Sequence, residues 1–236
     1  GEALQHMDRK KVFVTTKLAH PAAPAHINIS HRRTWDFDKV DDIAQKVRDD
    51  MVDTLDDLGL GYVDLLLMHW PGGFGQPGST DPNFPRKARA IIWRTFCEIA
   101  DKGAARAIGV SNFTISHLRQ LMEDVPEPEL RPTVNQVEIH PYCRDPELES
   151  FCNEQGIVVT AYAPFASGAF GMLNDTVLGT IAAQHGKTPG QVVLRWHVQS
   201  GRTALPKTSK EKRMTENRDI YDFELSDDEM QSIDAL

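Results

Sequence analysis

Apolar positions along the chain follow two alternating rhythms: short continuous runs, and longer stretches with a period near 3.6. The sharpest run is Val63-Asp64-Leu65-Leu66-Leu67-Met68, which reads as a strand covered on both faces by helices. Pro71 has no amide hydrogen to give a ladder, so the strand ends about there. His69 then stands at the carboxyl end of a buried parallel strand, where α/β folds gather their chemistry. A core histidine bonded to a backbone carbonyl is the alternative reading.

The same alternation organises the rest of the chain. Residues 11–18 are β-rich and close on Lys17 and Leu18, and residues 19–35 have no helical period and read as an exposed loop. Asp36 or Asp38 caps a helix running to 58, with Val40, Ile43, Val47, Met51, Val52 and Leu55 on its apolar face. Gly59 and Gly61 stop it. After the strand at 63–69 comes a Gly/Pro-rich loop over 72–85, longer than a simple connector needs. A helix over 87–102 turns Ile91, Ile92, Phe96 and Ile99 inward. Strands follow at 104–110, 133–139, 157–163 and 203–206, with helices at 115–122, 146–155, 173–185 and 189–199 and another starting at 210. Strict alternation predicts a parallel sheet with crossover helices. Polar residues collect after nearly every strand rather than after one glycine-rich turn, which favours a (β/α) barrel over a Rossmann sheet. No dinucleotide fingerprint, phosphate loop or zinc-protease motif is present. Residues 1–236 are expected to form one domain.

Bulk properties narrow the function. A net charge of −8 argues against nucleic acid and anionic membranes as partners, since both need a basic footprint. No apolar segment approaches a bilayer-spanning length. The three cysteines, Cys97, Cys143 and Cys152, are odd in number and form no metal-type pair, so a reducing, cytoplasmic setting with free thiols is expected. Cys143 follows a turn-like His-Pro-Tyr and is either a reactive thiol or a buried inert one.

Read in order, the strand-end segments resemble a known family. They are Val14-Thr15-Thr16-Lys17-Leu18, Leu66-Leu67-Met68-His69-Trp70-Pro71, Ile108-Gly109-Val110-Ser111-Asn112-Phe113, Asn135-Gln136-Val137-Glu138-Ile139-His140-Pro141-Tyr142, Ala161-Tyr162-Ala163-Pro164 and Leu205-Pro206-Lys207-Thr208. With Arg213-Met214-Thr215-Glu216-Asn217 and the closing Phe223-Glu224-Leu225-Ser226, the set is similar to the aldo-keto reductases of the aldose and aldehyde reductase type. The resemblance implies a (β/α)8 TIM-type barrel, NADPH lying across the strand ends, and hydride transfer to an aldehyde or ketone. It implies that His69 orients the substrate carbonyl and that Lys17 is the lysine that tunes a catalytic tyrosine. Ser111, Asn112 and Gln136 would hold the nicotinamide carboxamide, and Tyr162 would stack on its ring. Lys207, Thr208 and Arg213 would take the 2′-phosphate, Glu216 and Asn217 the adenine, and Trp70 would line the substrate pocket. The residue chemistry agrees. Ser, Asn and Gln read an amide without charge, an aromatic face orients a flat ring, and cations at a helix start suit a phosphate.

Each of these residues has a plainer reading. Lys17 could be a strand-end lysine reaching for solvent, Ser111-Asn112 a helix cap, Tyr162 a core aromatic, and the patch Lys207, Lys210, Lys212 and Arg213 a solvated helix face. The family's catalytic Asp and Tyr have no matching counterpart, since no tyrosine precedes Tyr62 and Asp8 stands outside the matching motif. The first βα unit and the second strand of the barrel are likewise expected to be absent from an N-terminally truncated chain. Loss of a general acid typically costs about 10²–10⁴-fold in rate, so impaired turnover is expected, with the Lys17 pKa drifting down. Two functions stay open: an NADPH-dependent carbonyl reductase acting on a small molecule as a monomer, or a non-catalytic nucleotide-binding or partner-subunit relative. No metal site is expected.

Overall fold

The computed structural model describes residues 1–18, 41–72 and 82–236. The loop expected over 19–35, the caps Asp36 and Asp38, Val40 and most of the loop expected over 72–85 lie outside those residues. Among the described residues there are six strands, arranged in chain order as β1-β2-β3-β4-β5-β6, and eight α-helices. The chain divides into two compact units, Gly1–Asn135 and Gln136–Leu236.

In the first unit, β1 is Thr15–Leu18, α1 Asp41–Leu58, β2 Val63–Met68, α2 Phe84–Asp101, β3 Ala105–Ser111 and α3 Ile115–Asp124. Strand β1 pairs in parallel with β2, Lys17 opposite Leu67, and β2 pairs in parallel with β3, Met68 opposite Val110. All six residues of β2 are buried, as a continuous apolar run in a covered sheet requires. Helix α1 buries Ile43, Val47, Met51 and Thr54, a stripe that repeats once per turn. Val52, expected on that face, is 59% exposed, because it sits one residue beyond Met51 and is therefore rotated about 100° away from the stripe. Ile91 is only half-buried on α2, whose buried face is carried by Ala88, Arg89, Ile92, Trp93, Phe96 and Ile99.

In this unit the starts of β1 and α2 differ from the sequence expectation. Residues 11–14 are not part of β1. Asp8 caps a 3-10 turn over Arg9–Lys11, and the Val14 amide bonds the Asp64 carboxylate at 2.8 Å. Helix α2 begins at Phe84 because Pro85 occupies its first turn, where the missing amide hydrogen costs nothing. Asp64 also pairs with Arg9 at 2.7 Å and Arg106 at 3.2 Å. Both guanidinium groups lie over the Tyr62 ring, at 4.1 and 4.4 Å from its centroid.

Strand β4, Val134–Glu138, spans the boundary of the units. The second unit continues with α4 Pro146–Glu154, β5 Val158–Tyr162, α5 Thr176–His185, α6 Pro189–Gln199, β6 Thr203–Leu205, α7 Glu211–Arg218 and α8 Asp227–Asp234. Strand β5 pairs in parallel with β6, Tyr162 opposite Leu205. Helix α5 starts at Thr176, later than expected, because the Asp175 carboxylate accepts from the Val177 and Leu178 amides. Leu173 instead lies in a 3-10 turn. Ile139, Leu178, Val192, Trp196 and Ile233 form the core of this unit. Beside it the buried Arg202 donates to Glu149 at 2.5 Å and to Nδ1 of His197 at 3.3 Å. Among the described residues no helix is long and apolar enough to cross a membrane.

Candidate active site

In the first unit four of the expected residues meet at the carboxyl ends of β1, β2 and β3. Lys17 Nζ donates to Ser111 Oγ at 3.3 Å, although β2 runs between their strands. Adjacent strands lie about 4.8 Å apart, so the lysine must extend across the end of β2, where His69 leaves the sheet. The His69 amide bonds the Leu18 carbonyl at 3.1 Å, and its carbonyl accepts from Asn112 Nδ2 at 2.9 Å. Asn112 Nδ2 also reaches Ser111 Oγ at 3.3 Å. Asn112 adopts a left-handed φ of 62°, which an Asx side chain tolerates better than most. The turn is held from below, as the buried Asn135 side chain accepts from the Phe113 amide and donates to its carbonyl. The cap of α3 is Thr114, bonded to His117, so Ser111-Asn112 is not the helix cap and its polar groups are aimed elsewhere.

Electrostatics follow from burial. Burial lowers the Lys17 pKa to about 8. Burial, and then the Lys17 charge, lowers that of His69 to about 4. At neutral pH His69 is therefore a neutral ring with one N–H, and Lys17 is mostly protonated with a minor neutral fraction. The Trp70 ring lies 5.9 Å from that of His69, inclined by 30°.

Arg89, not among the expected site residues, is 4% exposed and reaches Pro71 from α2 with a 2.8 Å hydrogen bond to its carbonyl. A second bond goes to Gln120 of α3. A cation at helical spacing among Ala88, Ile92 and Phe96 was the available signal.

In the second unit, Gln136 is buried on β4 and Tyr162 is half-buried at the end of β5. Burial, with Glu138 and Cys143 nearby, pushes the Tyr162 hydroxyl up to about 12. The remaining expected residues, Lys207, Thr208, Arg213, Glu216 and Asn217, line one cavity of about 250 Å³. Phe165, Leu173 and the start of α6 (Thr188, Pro189 and Gly190) complete its wall, none of which was expected there. Pro189 after a capping threonine marks a helix start in the sequence, but nothing local says what that start faces. Helix α7 begins at this cavity without a side-chain cap, and the Lys210 amide bonds Thr208 Oγ1 at 3.1 Å. Cations, a hydroxyl and a helix N-terminus make an anion site; the aromatic and apolar wall suits a flat base beside it. Cys143 is exposed, and burial with the Glu138 charge raises its pKa, which disfavours the reactive thiolate.

Parallel strands joined by helices, with the polar groups of β1–β3 gathered at strand ends, define an α/β protein. The aldo/keto reductase family model matches residues 1–236, and the chain belongs to that family. It is 42% identical over 183 residues to the glyoxal reductase of Bacillus subtilis (strain 168), a match covering 78% of this chain and 60% of the relative. It is 32% identical over 238 residues to methylglyoxal reductase DkgA of Escherichia coli (strain K12), covering 100% of this chain and 74% of that one. Among solved structures it resembles MGS-M4, an aldo-keto reductase enzyme from a Medee basin deep-sea metagenome library. The TM-score is 0.81 at 30% identity, with 100% of this chain and 75% of that chain covered. A Gox0644 D53A mutant in complex with NADPH gives a TM-score of 0.77 at 30% identity, covering 99% and 72%.

Proposed function

We propose that this chain carries the NADPH-binding and carbonyl-orienting part of a reductase that converts small aldehydes or ketones to alcohols. The observation that supports this most is the cavity of the second unit. Five residues that the family resemblance assigned to the 2′-phosphate and adenine line it together. Lys207 and Arg213 would pair with the phosphate, favouring NADPH over NADH, and Glu216 and Asn217 would bond the base. The family resemblance gives Ser111 and Asn112 a carboxamide-holding role in the first unit, and gives Gln136 and Tyr162 nicotinamide roles in the second. When bound, the cofactor supplies the hydride. His69 donates its single N–H to the carbonyl oxygen and fixes its direction, and Trp70 supplies an apolar wall. Lys17 holds a proton on Nζ beside Ser111 and tunes the charge at that spot. On this reading the six strands belong to a (β/α)8 barrel. The glyoxal and methylglyoxal reductases among the relatives favour small dicarbonyls as substrates.

A non-catalytic nucleotide binder using the same cavity of the second unit is the second reading. Titration with NADPH, followed by tryptophan fluorescence with NADH as control, tests the cofactor half. Preferred binding of NADPH is expected, and equal or absent binding of the two would remove it. An assay of methylglyoxal reduction then separates the enzyme from the nucleotide binder.

A further inference from the structure

The amine of Lys17, the hydroxyl of Ser111 and the ring of His69 converge at the end of β2. This arrangement can do chemistry that needs no hydride. We propose that Lys17 is a covalent capture site for small aldehydes, condensing reversibly with the carbonyl to form an imine. Three structural features carry the idea. Lys17 reaches over β2 from β1 to bond a hydroxyl on β3, which fixes Nζ where His69 emerges. The lysine is half-buried rather than sealed, so a small molecule can reach it. The His69 backbone is held on both sides, by Leu18 and by Asn112, which anchors the root of its side chain at the end of β2.

The steps balance without an outside oxidant or reductant. The Nζ lone pair attacks the carbonyl carbon, a C–N bond forms as the C=O π bond opens, and one amine proton moves from Nζ to the oxygen to give the carbinolamine. The C–O bond then breaks, and that oxygen leaves as water with both of the amine's protons accounted for, yielding the C=N bond. His69, neutral at working pH, donates a hydrogen bond to the carbonyl oxygen during attack, and the Ser111 hydroxyl accepts from the amine and orients its lone pair. The lowered pKa of Lys17 supplies neutral amine that exposed lysines lack near pH 8.

The test is reductive trapping of the full chain, with no nicotinamide present. Propanal and cyanoborohydride are added at pH 8, and propylated lysines are mapped by peptide mass spectrometry over time. Lys17 is expected to label at least about tenfold faster than the exposed Lys102 and Lys212, as its lower pKa would give. Ser111→Ala and His69→Ala should each slow labelling at Lys17 while leaving the two surface lysines unchanged. The comparison of Lys17 with the two surface lysines is made within the unaltered folded molecule and needs no variant, and each variant counts only where its circular dichroism is native-like. Labelling of Lys17 at or below the surface rate would overturn the proposal. Because the assay omits NADPH, its outcome is separate from that of the cofactor titration.

Discussion

Arg89 of α2 donates to the Pro71 carbonyl at 2.8 Å, so a buried guanidinium holds the backbone two residues beyond His69. Burial lowers the pKa of this arginine, a sign that its charge is costly where it stands. Arg89→Met keeps much of the stem but leaves Pro71 and Gln120 without their donor. An unsatisfied buried acceptor costs about 1–3 kcal/mol, and a loss of that size is expected in urea unfolding. A change below a few tenths would mean that water or another donor replaces the arginine.

Gly109 lies where β3 passes closest to its neighbours. A Cβ there would stand 2.7 Å from the Val134 carbonyl oxygen and 2.8 Å from a Leu67 methyl. One obstacle is backbone and cannot rotate aside. Gly109→Ala should destabilise by about 1–3 kcal/mol through overpacking, read as a lowered thermal midpoint with native-like circular dichroism.

Arg213 is exposed on the first turn of α7 and lines the cavity of the second unit. If it meets the 2′-phosphate, Arg213→Ala removes a charge-assisted hydrogen bond worth about 1.5–3 kcal/mol. NADPH affinity should then fall by about tenfold to a hundredfold, with NADH affinity almost unchanged. Equal losses for the two would place the arginine away from the phosphate.

Acid should unfold this protein in two stages. His197 is fully buried, and burial, followed by the charges of Arg202, His140 and Arg144, lowers its pKa to about 3. Between its ordinary 6.5 and about 3 the unfolded chain binds the proton and the folded chain does not. Stability therefore falls as pH drops through that window, by about 1.4 kcal/mol per pH unit. Asp64 follows. Burial alone would raise its pKa, but the Val14 amide, Arg9 and Arg106 outweigh it and hold it below the usual carboxylate value. Its contribution is present above that value and is lost as pH falls through the lowered one. Chemical denaturation between pH 7 and 4 should show the first slope, to which the lowered His69 also contributes, and His197→Gln should make it shallower.

The order and type of the elements were legible because periodicity and breakers state them directly, as β2 and α6 illustrate. Starts and faces were harder. Pro85 looks the same in a loop as in a first helical turn, and Val52 is as apolar as Met51 although only one of them meets the core. The strand-end residues could be named from the ordered motifs, but the bond between Lys17 and Ser111 could not. It joins residues far apart in the chain through a sheet whose register only folding sets. Arg89, Asp64 and Arg202 were hidden for another reason. A charged residue in an apolar stripe reads as an interruption until its partners are seen, and those partners come from other elements.

The two guanidinium groups lying over Tyr62 have a consequence for how the chain yields to proteases. Lys10 and Lys11 are exposed on the turn beside Arg9, whereas Arg9 itself is tied to Asp64 and to the carbonyls of Val12 and Tyr62. A trypsin-like enzyme would meet the two lysines first. The N-terminal piece made by cutting after Lys11 would still carry Arg9, clasped between Asp64 and the ring. Such a nick would go unnoticed in native size analysis and would appear only once denaturant let the two pieces part.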